Sequence, residues 1–164
     1  MSELIDKIVA QLNSASTVED LDSCAWVAGD LLEKAHSQKY LSGFEYIDRE
    51  EVSEADAQRI QTALLEALPR NSDGKFVGCI LSALSVSQDK SLKRVYEENL
   101  VQHLRKLKAS NSAVYSALQG LDTLGESVYE INPGGGSSQS LIDVDKNIRQ
   151  AHKYLQALGI VEPW

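Results

Sequence analysis

The segment GKFVGCILSALSVSQDKSLKRVYEENLVQHLRKLK, residues 74–108, carries two apolar stripes at helical spacing, with turn chemistry ahead of each. Val77, Ile80, Leu81 and Leu84 recur every three or four residues, and so do Leu92, Val95, Tyr96, Leu100, Leu104 and Leu107. That period gathers each set on one side of an α-helix, whereas a half-buried strand would alternate every second residue. Asn71-Ser72-Asp73-Gly74 supplies a turn before the first helix, and Asp89 or Ser91 can cap the second. The expectation is a helical hairpin.

Toward the C-terminus, Ser110 or Asn111 opens a further helix bearing Val114, Ala117, Leu118, Leu121, Leu124 and Val128. A shift of 37 residues carries Val77, Ile80, Leu81 and Leu84 onto Val114, Ala117, Leu118 and Leu121, and a shift of 40 carries Ile60 and Leu64 onto Leu100 and Leu104. Hairpins repeating at about 40 residues are the size class of HEAT and armadillo repeats. An irregular bundle of amphipathic hairpins produces the same faint periodicity. Asn132-Pro133-Gly134-Gly135-Gly136-Ser137-Ser138-Gln139 reads as a flexible linker by composition. A C-terminal helix over about 141–158 follows, bearing Leu141, Ile142, Ile148, Ala151, Leu155 and Leu158, with Ser140 and Asp143 as caps and Gly159 at its end.

Toward the N-terminus, Ser53 opens a helix with Ala57, Ile60, Leu64 and Leu68 on one face, stopped by Pro69. Thr17, with Asp20 three residues on, can cap a helix reaching about Gln38 and carrying Leu21, Cys24, Ala28, Leu31, Leu32 and Ala35. A first helix covers about Ser2 to Asn13. Between these, residues 39–52, KYLSGFEYIDREEV, show no sustained period and read as a connection holding one short helical turn. The expected fold is all-α: one domain over 1–164, with about seven amphipathic helices in an irregular or HEAT-like array of stacked hairpins and a linker at about 132–139.

Composition narrows the function. With 43% hydrophobic residues the chain can build a core, which excludes wholesale disorder. Sixteen Lys and Arg against 24 Asp and Glu give a charge of −8, which would on average repel a polyanion and argues against direct nucleic-acid binding. Met1 to Lys7 has neither the basic start nor the apolar run of a secretory signal, and no apolar run is long enough to span a bilayer, so the expectation is a cytoplasmic protein without a membrane partner. Cys24 and Cys79 stand alone among apolar residues and suggest neither a disulfide framework nor a zinc site.

Catalytic motifs are missing. Gly134-Gly135-Gly136 lacks the lysine of a phosphate-binding loop. Asp143, Asp145 and Asn147 open like a calcium loop, but Ile148 stands where the turn glycine belongs and Tyr154 where the bidentate glutamate belongs. Glu33 and His36 have the spacing of a helical di-iron ligand pair without the second pair. Neither His36, His103 nor His152 lies in a nucleophile motif. No cofactor, metal or enzymatic activity is expected.

Charge distribution points to a binding surface. Residues 89–108 hold Lys90, Lys93, Arg94, Arg105, Lys106 and Lys108 against Asp89, Glu97 and Glu98, a net of +3 that leaves −11 on the rest of the chain. Asp48, Glu50, Glu51, Glu54 and Asp56 crowd together opposed only by Arg49, directly after Tyr40, Phe44 and Tyr46. The bland reading has the acids complementing a helix dipole and the rings closing the core. The functional reading has the rings supply contact area and the carboxylates steer a basic partner. The candidate partner-binding residues are Tyr40, Phe44, Tyr46, Asp48, Glu50, Glu51 and Glu54. Acidic faces around Asp122, Glu126 and Glu130 are the next candidates.

The hairpin at 74–108 and SAVYSALQGLDTLGESVYEI at 112–131 resemble small acidic bacterial immunity proteins with HEAT-like helical folds, which accompany polymorphic and contact-dependent growth-inhibition toxins. The resemblance covers about residues 53–130 and brings no site residues with it. It implies a protein that binds a cognate toxin domain, often a basic nuclease, and masks its active or substrate-binding face. The appended linker and last helix are not part of that pattern. Alternatives are a general helical adaptor using the same surface, and a small enzyme built on histidine and carboxylate side chains.

Overall fold

The computed structural model describes residues 2–37, 39–106, 109–129 and 141–160. Among them the helices are α1 (Glu3–Ser14), α2 (Val18–Leu21), α3 (Ala25–His36), α4 (Glu45–Asp48), α5 (Glu54–Ala67), α6 (Gly74–Leu84), α7 (Leu92–Leu104), α8 (Asn111–Thr123) and α9 (Val144–Ala157). A 3-10 turn, Leu68–Arg70, closes α5 at its proline. With α2 and α4 single turns, seven longer helices remain and no strand occurs among the described residues, so the protein is all-α. The linker at 132–139, Leu107, Lys108, Glu130 and Ser140 lie outside the described residues.

Local signals set the helix starts. Thr17 accepts from the Asp20 amide while the Asp20 carboxylate accepts from the Thr17 amide, and Ser53 and Asp56 make the same reciprocal pair. Asp73 accepts from the amides of Lys75 and Phe76, and Asp143 from that of Lys146. Gly159, at φ +80°, ends α9 in the left-handed conformation a glycine tolerates best, with the Ile160 amide returning to the Leu155 carbonyl.

Two expectations are corrected. The helix expected from Thr17 to about Gln38 is broken at Asp22–Cys24, so that α2 packs on α1 and α6 while α3 crosses α5 and α6. Asp22 and Ser23, whose short polar side chains favour turns over helix interiors, occupy the break. Leu141 and Ile142 are not on the last helix: with Asp143 capping Val144, they precede it in an exposed turn.

The buried side chains form one hydrophobic cluster reaching from Ile5 in α1 to Leu155 in α9. Leu21, Leu31, Ile60, Leu64, Ile80, Leu84, Leu100, Leu104, Leu118, Leu121 and Leu155 are all buried, as their spacing predicts. Helix α6 is central, packing on α3 to one side and α8 to the other, and α3–α6–α8 make a continuous row. A second row, α1 with α5 and α7 with α9, is interrupted, since no comparable packing joins α5 to α7. The faint repeat therefore corresponds to the neighbours α6 and α8 in an irregular stack. Their outer partner α7 sits close to α8 because Gly120 has no side chain: a Cβ there would come within 2.2 Å of the buried Tyr96 ring.

Candidate functional site

Helix α4 follows directly on Phe44, its N-cap residue, and is fixed from beneath. Ile47 points inward and is fully buried. Lys34, the buried lysine of α3, donates from Nζ to the carbonyls of Ile47, at 3.1 Å, and of Asp48. Its positive charge thus meets the carbonyl end of α4, where a helix dipole favours a cation. Asp48 holds the preceding turn by accepting from the Ser42 hydroxyl at 2.7 Å, the Ser42 amide at 2.6 Å and the Gly43 amide at 3.2 Å. These bonds, the Ser42 hydroxyl first, keep its carboxyl below the usual aspartate range.

So anchored, α4 presents its other side outward. Phe44 is 48% exposed and Tyr46 39% exposed, and beside them stands Trp26 of α3, 42% exposed. Ring centroids lie 5.2 Å apart for Trp26 and Phe44 and 5.9 Å apart for Phe44 and Tyr46, both tilted, within the range of favourable aromatic contacts. Three large rings are thus left together at the surface.

Trp26 also forms the edge of a groove of about 540 Å³ running over the α3–α6–α8 row. Small residues line it, among them Gly29, Gly78, Ser82, Ala83, Ser112 and Ser116. Asp22, Asp30 and Glu33 supply its acidic side. Asp30 accepts from the Tyr40 hydroxyl at 2.6 Å. That hydrogen bond, then burial, then the charges of Asp30, Glu33 and Asp48 push the Tyr40 hydroxyl up to about 12. None of the three groove carboxylates makes an ion pair among the described residues.

The sequence-derived candidates are thereby divided. Tyr40, Phe44 and Tyr46 gather at this edge, Tyr40 lining the groove and the other two extending it outward. Asp48 serves the turn, and Glu50 accepts from the Ser2 hydroxyl at 2.5 Å at the start of α1. Glu51 and Glu54 are exposed, with Glu54 in a separate depression beside His36. Reading the sequence missed Trp26 and Asp30, and took up Glu33 only as a metal-ligand partner of His36 and not as part of a binding face. Their signal was present: positions i, i+4 and i+7 fall on one helix face, away from the stripe of Ala28, Leu31 and Leu32.

The basic segment behaves differently. Lys93 lies 3.0 Å from Glu126 and 3.9 Å from Glu97, and Arg94 donates to Glu98 at 2.8 Å. Lys90 donates to the Leu124 carbonyl and Lys106 to the Ser72 carbonyl. Of the next candidate acids, Glu126 is thus engaged with Lys93, while Asp122 is exposed. His103 is fully buried, and burial above all lowers its imidazole to about 4. Among the described residues no three His, Cys, Asp or Glu side chains converge as a metal site, and no helix is long and apolar enough to cross a membrane. Compared with family models, curated proteins and solved structures, the chain matches none.

Proposed function

We propose that this protein acts by stoichiometric protein binding in the cytoplasm, docking a basic partner on the face formed by α3 and α4, and that the partner is a toxin domain held inactive by masking. The observation that carries this reading is the exposed Trp26–Phe44–Tyr46 cluster beside three carboxylates that have no cation partner among the described residues. Aromatic rings at the centre of an interface exclude water and supply most of its binding energy, while charge sets the approach rate. A net charge of −8, with Glu51 and Glu54 exposed nearby in the chain, attracts a basic domain. If that domain is a nuclease, the carboxylates stand in for the phosphates it would otherwise bind. The resemblance of about residues 53–130 to immunity proteins favours toxin neutralisation over a general adaptor role, which would use the same face.

Co-expression with the products of adjacent genes tests the proposal. The expected result is a one-to-one complex that restores growth in cells making the toxin. Trp26→Ala or Tyr46→Ala should weaken it by on the order of 2 kcal/mol, chiefly through faster dissociation, without lowering the melting midpoint. A complex indifferent to both substitutions would move the interface off this face.

A further inference from the structure

We infer that the groove over α3, α6 and α8 receives a helix of the partner, with an arginine or lysine of that helix seated against Asp30 and Glu33 beside the Trp26 ring. This rests on the docking face proposed above and specifies what enters it.

The walls favour a helix over a strand. Most of the lining belongs to α2, α3, α6 and α8, with Asp22, Tyr40, Val86 and Leu141 lying between helices, and the helical walls, whose backbone groups are already bonded within them, offer no ladder to an extended segment. A strand laid there would bury unpaired amides and carbonyls of its own, whereas a helix brings its hydrogen bonds with it. The lining suits a close approach. Gly78 lets α6 lie tight against α8, since a Cβ there would come within 2.1 Å of the Ser112 hydroxyl, so no side chain rises from the floor at this point. With Ser82, Ala83 and Ser116 it makes a shallow surface on which a second helix can rest. Trp26 to Glu33 spans about 10 Å along α3, two helical turns, so a visiting helix of about three turns meets the whole edge.

Charge fixes the chemistry of the occupant. Asp22, Asp30 and Glu33 lie without a cation among the described residues, and Lys34 is turned away into the carbonyls of α4. The Tyr40 hydroxyl occupies one oxygen of Asp30, Oδ1, leaving Oδ2 for a donor from outside. Arginine suits the place best, because its planar fork can pair with a carboxylate and its face can lie on an indole. A second copy of this chain is disfavoured by its own charge of −8.

Displayed fourteen-residue helical peptides with randomised inward positions, selected on the full chain, test this. The expected winners carry arginine or lysine one or two turns apart on a small or apolar face. Asp30→Asn with Glu33→Gln should weaken the winning peptide at least tenfold while the thermal melt is unchanged, and citrulline in place of its arginine should do the same. Enrichment of peptides without basic residues, no enrichment at all, binding indifferent to the double variant, or a groove covered by a second copy in a solution dimer would each overturn the inference. A natural complex that needs Trp26 and Tyr46 but not Asp30 and Glu33 would overturn the helix seat and leave the docking face standing. Indifference to all four would remove both.

Discussion

Along the α7 side, Lys90, Lys93, Arg94 and Lys106 each reach an oxygen of the same chain, whereas in the groove Asp22, Asp30 and Glu33 reach no cation among the described residues. Both regions stand out as charge concentrations, and the difference lies in what the fold does with them. Lys90, Lys93 and Lys106 tie the α7 side to neighbouring segments and Arg94 pairs with Glu98 within α7, so a partner would have to displace those bonds. Carboxylates lined along an open groove keep their field for something outside. Charge density in a sequence therefore marks two kinds of surface, and only the pairing tells them apart.

The largest expected effect belongs to the structural side and should spare the groove. Neither ring nitrogen of buried His103 has a hydrogen-bond partner among the described residues. Burial lowers its pKa from 6.5 to about 4, the charge of Lys106 adds to this, and that of Asp73 opposes it. With the folded pKa depressed, the neutral imidazole's contribution is fully present above pH 6.5 and is lost as pH falls toward 4, because the unfolded chain binds the proton first. Urea unfolding at pH 7 and pH 4.5 should show about 2–3 kcal/mol of this loss in the natural chain, and His103→Leu should be flatter over that interval. An unaltered pH dependence in the variant would show that acid sensitivity arises elsewhere.

Smaller shifts sharpen the contrast directly. Lys93 gains its proton affinity chiefly from the bond to Glu126, so Lys93→Ala should lower the melting midpoint measurably. Glu33→Gln, which removes one of three like charges and no described hydrogen bond, should leave the midpoint unchanged or raise it. The opposite order in calorimetry would contradict the division into spent and available charge.

Much of the fold could be read in the sequence, because helix starts and core faces follow from local chemistry. Thr17 with Asp20 and Ser53 with Asp56 cap where their spacing predicts, and the leucine stripes of α6, α7 and α8 are buried. The break at Asp22–Cys24 was less legible, since Leu21 and Cys24 keep helical spacing across it and the turn preference of Asp22 and Ser23 is a weak signal beside that stripe. The site was half legible. Tyr40, Phe44 and Tyr46 drew attention by their neighbours in sequence, but of those acids Asp48 holds the turn and acts on Tyr40 only by its charge, while the carboxylates lining the groove, Asp22, Asp30 and Glu33, come from an earlier part of the chain. Lys34 brings α4 against α3, and so joins Trp26 to Phe44 across 18 residues of chain.

The most direct test uses Cys79, a partly exposed thiol lining the groove, whose pKa is raised by burial and then by the charge of Asp22. Cys24, wholly buried, serves as the internal reference. With the partner isolated by co-expression, alkylation of Cys79 by iodoacetamide should slow at least tenfold at saturation while Cys24 stays unreactive in both states. Unchanged alkylation of Cys79 in a saturated complex would place the partner elsewhere on the molecule and contradict the docking face.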